Sequence, residues 1–239
     1  MSNRLFFQLA GMALRCIPAK AVLPVLFGPI QGRKWVVGSS VRACWAGAYE
    51  RRKAFEFAKL ASSAERIIDV GANVGYYTLI AARFAPKAAI AAIEPLPSNI
   101  AMIKRHLALN KISNVQVMQA AASNEEGIMA FSEHHFNAMG RLDSSGNLSV
   151  RVITLDAAIQ RKELPSPQIL KVDVEGAEVE VLLGAVDLLR HGRPTVLLAT
   201  HGPELKARCI EILSELRYRI DSVGPAMLEE SDEFCATPL

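Results

Sequence analysis

The segment Ile67–Gly75, reading IIDVGANVG, constrains this chain more than any other. A β-branched apolar run over Arg66–Val70 ends in the turn Gly71-Ala72-Asn73-Val74-Gly75, and an apolar helix-like stretch, Tyr76–Phe84, follows. Strand, glycine turn and helix in that order form the opening unit of an open α/β sheet, in which small ligands bind at the carboxyl ends of the strands. Gly71 and Gly75 let the backbone bend sharply and approach a ligand closely. Asp69, at the strand end, would repel a phosphate. The turn therefore suits a nucleoside with a cationic or neutral tail better than a pyrophosphate.

The alternation continues down the chain. Ala88–Ile93 reads as a second strand ending at Glu94-Pro95, and Pro97 opens a helix at a first-turn position. Val115–Gln119 is a third strand, running into Ala120-Ala121. Residues 124–154 then break the rhythm: Ile128–Phe131 and Ser149–Ile153 look like strands of an antiparallel insertion, a natural lid or acceptor-binding element. Gln168–Asp173 and Thr195–Ala199 are the fourth and fifth strands. Glu178–Arg190 is a helix with Gly192 as its stop, Pro203 opens another helix, and Tyr218–Val223 is a sixth strand. Gly224–Leu239 holds a final strand and a tail. Strands alternating with helices predict an α/β, doubly wound, mainly parallel sheet over residues 63–239. Right-handed crossovers bring the strand ends Asp69, Glu94, Gln119, Asp173 and His201 to one edge.

Residues 1–62 read as a helical and irregular lead-in. Pro18, Pro24, Gly28, Pro29 and Gly32 exclude one long helix, Arg33–Val37 reads as a short strand, and Tyr49–Leu60 as a helix. Leu5–Leu14 carries no charge but is too short to span a bilayer. Leu5, Leu9, Met12 and Cys16 share one helical stripe, which fits a helix packed on its own domain, with weak peripheral membrane contact or partner binding as the alternative. The 239 residues, 51% hydrophobic and 21% charged, suffice for a large soluble core. A net charge of +3 predicts no nucleic-acid stripe. Cys16, Cys44, Cys209 and Cys235 form no CxxC pair, so a reducing, cytoplasmic compartment is expected. Oligomeric state leaves no signature.

The chemistry-bearing residues sit at the predicted strand ends. Glu94 lies nineteen residues after Gly75, where an acidic residue accepts hydrogen bonds from the ribose hydroxyls of a nucleoside. The turn reads G-x-x-x-G, with Asn73 where a dinucleotide fingerprint has its middle glycine. That disfavours NAD and favours S-adenosylmethionine, whose sulfonium and ammonium gain from carboxylate and amide oxygens. Lys171, Asp173 and Glu175 alternate onto one face, either as a charged wall beside the transferred group or as a buried Lys171–Asp173 ion pair. His201 ends the fifth strand, and its ordinary pKa suits proton abstraction from a hydroxyl. His134 and His135, in the insertion, are weaker candidates. Asp173, Glu175 and His201 could be arranged into a divalent metal site, but no ligand spacing demands one and no metal ligand is assigned.

These pieces together resemble the FkbM family of S-adenosylmethionine-dependent methyltransferases. The similarity rests on GAYE at 47–50, IIDVGANVGYYTL at 67–79, IEPLPSN at 93–99, QAAAS at 119–123 and LKVDVEGAEVEVLLGA at 170–185, with VRVITLDAAI at 150–159 and LLATHG at 197–202 as further segments. The resemblance implies a class I, Rossmann-like methyltransferase fold, with a seven-stranded sheet whose last strand runs antiparallel. It implies O-methylation of a sugar, glycan or secondary metabolite. It places Asp69, Gly71, Asn73 and Gly75 at the methionine part of the cofactor, with Tyr76 beside them, Glu94 at the ribose, and Ala120 and Ala121 at the adenine. Many relatives carry a glutamate near the end of strand five, where this chain has Leu198-Ala199-Thr200-His201. The expected general bases are accordingly His201 first, then Asp173 and Glu175. A nucleic-acid methyltransferase, a dehydrogenase and a non-catalytic nucleoside-binding module are the competing readings. The first is disfavoured by Asp173-Val174-Glu175-Gly176, which stands where base-amino methylation uses an Asn/Asp-Pro-Pro-aromatic motif.

Overall fold

The computed structural model describes residues 17–131, 148–224 and 227–239. The amphipathic stripe Leu5–Cys16, His134 and His135 fall outside the described residues. Twelve described strands, β1–β12, form three sheets, the largest of which has seven strands in the order β11-β12-β10-β9-β3-β4-β5. The strands are β3 (Arg66–Val70), β4 (Ala89–Glu94), β5 (Val115–Gln119), β9 (Ile169–Val172), β10 (Thr195–Ala199), β11 (Tyr218–Ser222) and β12 (Glu233–Pro238). β3 pairs in parallel with both β4 and β9. The chain runs from β3 outward to β5 and then returns to β9 on the other side. That reversal leaves a crevice beyond the carboxyl ends of β3 and β9, the place where open α/β sheets bind ligands. β12 is antiparallel to both its neighbours, β10 and β11. This is the class I methyltransferase architecture that the motifs imply.

The central strand is apolar on both faces because helices cover both. Ile67 packs with the lead-in and with α3 (Tyr76–Phe84), whereas Ile68 and Val70 pack against the opposite layer. That second layer includes α5 (Leu155–Gln160), α6 (Glu178–Leu183) and α7 (Pro203–Glu215). α4 (Pro97–Leu109) packs along β5 and, through its other contacts, along the lead-in. The lead-in contributes a ladder of β1 (Val22–Pro24) with β2 (Lys34–Val36), then α1 (Arg42–Ala46) and α2 (Arg51–Ala61). Its Trp35, Trp45 and Phe57 are buried in the same core as Ile67 and Leu79. The insertion forms a small separate sheet in which β8 (Leu148–Ile153) lies between β6 (Ala121–Ala122) and β7 (Gly127–Phe131). Among the described residues, no helix is long and apolar enough to cross a membrane.

The long helix expected over Glu178–Arg190 is instead two pieces, α6 and a π-helical turn at Leu188–Gly192. Two contacts cause the break. A Cβ at Gly184 would come within 2.0 Å of the Ser123 carbonyl, so the chain there lies against its neighbour. Asp156 then accepts hydrogen bonds from the N–H groups of Asp187 and Leu188, at 2.9 and 2.8 Å, and starts a new turn. Gly192 lies inside that turn rather than ending it. Arg193, with φ of 51°, takes the left-handed terminating position. Two short helices, α1 and α5, are too brief for sequence periodicity to reveal. α5 is capped by Thr154, whose hydroxyl accepts from the Ala157 N–H.

One buried histidine ties the lead-in to the glycine turn. His106 stacks on Trp35 with ring centroids 4.0 Å apart. Its Nε2 accepts from the Val36 N–H, and its Nδ1 lies 2.9 Å from the Val74 carbonyl. These partners assign the neutral tautomer with the proton on Nδ1. Burial pushes its pKa down to about 4, and the nearby Arg105 charge adds to the effect, against the Val74 bond. The neutral form is therefore the folded one, and stability gained above the unfolded value is lost as pH falls. We expect the fold to lose on the order of 3 kcal/mol between about pH 6.5 and pH 4 from this group. Denaturation across that window should show a flatter pH dependence in His106→Phe, and an equal slope would sink the assignment.

Candidate active site

A cleft of about 1150 Å3, counted with its open mouth, lies at the carboxyl edge of β3, β4 and β9. Its floor is the glycine turn. Lys171 donates to the Gly71 carbonyl at 3.2 Å, and the Gly71 and Ala72 N–H groups donate to the Ile93 carbonyl at 3.0 and 3.1 Å. Gly71 has φ of 72°, and a Cβ there would lie 1.8 Å from the Asp173 carbonyl oxygen. Only glycine fits between these two strands. Asn73 also takes a left-handed φ, 50°, a conformation its short amide side chain tolerates.

Glu94 closes one side. It is buried, and Oε2 accepts from the Asn73 N–H at 2.8 Å while Oε1 accepts from the Leu96 N–H at 3.1 Å and the Asn99 amide at 3.0 Å. Burial raises its pKa, and these donors oppose the rise. Three donors leave acceptor capacity on Oε2. Gly71, Asn73 and Tyr76 line the same cleft with Glu94, and Ala120 and Ala121 line its far part. Gly75 does not line it but starts α3 in a left-handed conformation.

Asp69 is placed differently from the expectation that it faces a ligand. It is fully buried and is absent from the cleft lining. Its Oδ2 accepts from the Thr78 hydroxyl at 2.7 Å. Its Oδ1 lies 3.0 Å from Lys171 Nζ without an aligned donor, so charge rather than a hydrogen bond holds that pair. Its strand position points it beneath the turn, where it anchors Lys171.

Another side of the cleft is built around Asp173. Its Oδ2 meets Lys53 Nζ at 3.1 Å and Lys171 Nζ at 3.8 Å. Burial would raise its pKa, but the two ammonium groups hold it below the usual carboxylate range. Lys53, only 1% exposed, also meets Glu50 at 3.0 Å and Glu233 at 3.2 Å. Burial alone would lower its pKa, yet the three carboxylates keep it raised. Both lysines also approach the Tyr77 ring, their nitrogens 5.3 and 5.0 Å from its centroid. The Tyr77 hydroxyl donates to Glu50 at 2.7 Å. The Lys171–Asp173 ion pair and the charged wall are thus one structure.

His201 stands at the edge of this wall. Its Nδ1 lies 2.9 Å from Oε1 of the fully buried Glu178. Its Nε2 lies 3.4 Å from Glu175 and 3.9 Å from Asp173. Burial would lower its pKa, but the Glu178 bond, with the Glu175 and Asp173 charges, raises it. A ring held in this way keeps a proton longer than a free imidazole does, which counts against the expected base. Glu178, in the first turn of α6, is the group that orients His201.

The resemblance at GAYE pointed to Tyr49-Glu50 as a cofactor or substrate contact, and Tyr49 lines the cleft; sequence reasoning missed Lys53 and the cleft-lining Ser40 and Cys44 of the lead-in. Lys53 follows two arginines at the start of α2, and nothing in that run distinguishes the buried one. The segment GAYE, 47–50, was the available signal, since it carries both Tyr49 and Glu50.

Comparison with known proteins gives a consistent picture. The family described as Methyltransferase FkbM domain matches residues 69–220. A relative named Methyltransferase 1, from Beauveria bassiana, is 30% identical over 51% of this chain and 58% of its own length. The hexuronic acid methyltransferase AglP of Haloferax volcanii is 29% identical over 51% of this chain and 50% of its own. The chain thus spans between half and three-fifths of these relatives. Among solved structures, the methyltransferase FkbM from Methylobacillus flagellatus superposes with a TM-score of 0.53 at 19% identity, over 73% of this chain and 43% of that one. An O-methyltransferase from Bacillus cereus in complex with SAH superposes with a TM-score of 0.50 at 13% identity, over 99% and 90%. Both structural likenesses show the fold.

The shared cation at Lys53 yields a stability prediction. Lys53→Met leaves Glu50, Asp173 and Glu233 facing one another without it, and should cost about 3–5 kcal/mol in urea denaturation. A loss below about 1 kcal/mol would mean the lysine is a bystander.

Proposed function

The chain belongs to the FkbM methyltransferase family, and from that premise we propose that it methylates a hydroxyl of a sugar, glycan or secondary metabolite, with S-adenosylmethionine as donor. The observation that carries the reading is Glu94, fixed by three donors at the end of β4, opposite the glycine turn and beside Ala120 and Ala121. The remaining capacity of Oε2 suits a ribose hydroxyl. Ala120 and Ala121 offer a small apolar surface to the adenine. The turn brings backbone rather than side chain to the methionine part, since Gly71 has no Cβ and the Asn73 side-chain oxygen is turned back onto the Val74 N–H. Asp69 supports this through Lys171 rather than by contact. When bound, S-adenosylmethionine supplies an electrophilic methyl on its sulfonium.

The chain's own residues then do two things. Tyr49, Tyr76 and the buried turn exclude water from the cleft, and Asp173, Glu175 and His201 hold the acceptor oxygen on the opposite side. Alignment of acceptor and methyl in a dry site supplies most of the acceleration. The name of the Haloferax relative, a hexuronic acid methyltransferase, supports a sugar derivative as the acceptor class.

Two measurements test this. Calorimetry should show S-adenosylmethionine binding to the folded protein, weakened roughly 10-fold or more in Glu94→Gln, because a charge-assisted hydrogen bond is lost. Equal affinity in a folded variant would remove the ribose role. Incubation with labelled cofactor and glycan extracts should transfer label to a carbohydrate fraction. Label confined to nucleic acid would reject the acceptor class.

A further inference from the structure

Asp173, Glu175 and His201 offer three ligand atoms that all lie within 4.8 Å of one another. We propose that these residues form a binding site for one divalent cation of the Mn2+ type, at the acceptor side of the cleft. The site is independent of the donor reading, because none of the three residues is assigned to the cofactor.

Geometry comes first. With metal–ligand bonds of about 2.1 Å, ligands at right angles on one ion stand about 3 Å apart. His201 Nε2 is 3.4 Å from Glu175 Oε2 and 3.9 Å from Asp173 Oδ1. A shift of about 1 Å in each side chain closes the set. Asp173 divides its oxygens suitably: Oδ2 takes Lys53, and Oδ1 faces His201. Glu175 is 65% exposed on its side chain and free to swing inward.

The second observation is Glu178. A metal-bound histidine almost always gives its other ring N–H to a carboxylate, which fixes the tautomer and aims the ligating nitrogen. Glu178 has no exposed surface, and its Oε1 lies 2.9 Å from His201 Nδ1. The same oxygen accepts from the Gly176 N–H at 2.9 Å. This buried carboxylate is tied to the backbone and orients the ring through one and the same oxygen. A proton on Nδ1 leaves the Nε2 lone pair directed at Asp173 and Glu175.

Charge is the third. Within contact distance of one another the described residues place six carboxylates, on Glu50, Asp69, Asp173, Glu175, Glu178 and Glu233, against Lys53, Lys171 and His201. A dication at Asp173 and Glu175 offsets part of that excess. One imidazole and two carboxylates suit Mn2+, which accepts both ligand types and keeps positions open for water or an acceptor oxygen.

The test is Mn2+ titration of chelator-stripped, full-length protein, followed by electron paramagnetic resonance. We expect one Mn2+ per chain and affinity weakened at least 10-fold in both Glu175→Gln and His201→Asn, with circular dichroism unchanged. Glu178→Gln should weaken binding roughly 10–100-fold while leaving all three ligands in place. Failure of wild-type protein to bind Mn2+ saturably up to millimolar concentration would overturn the proposal. So would wild-type affinity in both Glu175→Gln and His201→Asn. S-adenosylmethionine calorimetry on the same sample separates the two readings: donor binding without Mn2+ sinks only the cation site, and Mn2+ binding without donor sinks only the donor reading.

Discussion

Two buried ammonium groups hold this site together. Lys53 and Lys171 have almost no exposed side-chain surface, and each would be untenable alone in such a place. They are tolerated because Asp69, Asp173, Glu50 and Glu233 converge on them and because both approach the Tyr77 ring. The arrangement does more than balance charge. It fixes Asp173 by two cations, and Asp173 is the residue from which Glu175 and the glycine turn both take their place. Removing either lysine would leave carboxylates buried without compensation, so the network behaves as one unit.

Around that network the cleft follows from topology and close approach. The sheet reverses between β3 and β9, and the gap beyond their ends needs a floor. Gly71 supplies it by passing so close to the Asp173 carbonyl that no side chain could intervene. The lead-in then walls the opening. Trp35 stacked on His106, and His106 bonded to Val74, fasten a segment distant in sequence to the turn itself. The cleft is thus shared between a sheet edge and a lead-in packed into the same core.

Periodic signals were the legible ones. Arg66–Val70, Tyr76–Phe84, Val115–Gln119 and Thr195–Ala199 stand where apolar spacing and glycine turns put them, and the strand ends meet at one edge as parallel crossovers require. What hid was non-periodic or long-range. Lys53 looked like any charged residue of a helix start, because its burial depends on partners far along the chain. Asp69 looked ligand-facing, because its alternation on the strand was visible but Lys171 and Thr78 beneath it were not. Glu178 stands where acids commonly open a helix, and only the fold brings His201 to it. The broken helix after α6 turned on Gly184 and Asp156, a contact between segments that no local pattern records.

The separation of these partners bears on how the protein is made. Lys171 reaches the Gly71 carbonyl across 100 residues, and Lys53 reaches Asp173 across 120. Glu233, the third carboxylate on Lys53, belongs to β12, which inserts between β10 and β11. During synthesis, Lys53 and Tyr77 therefore leave the ribosome long before the groups that neutralise and cover them. Contacts this distant in sequence close slowly, since each must overcome the entropy of a long loop. This edge of the cleft consequently closes only after β12 is available, and until then a nascent chain carries Lys53 without Glu233, its third carboxylate.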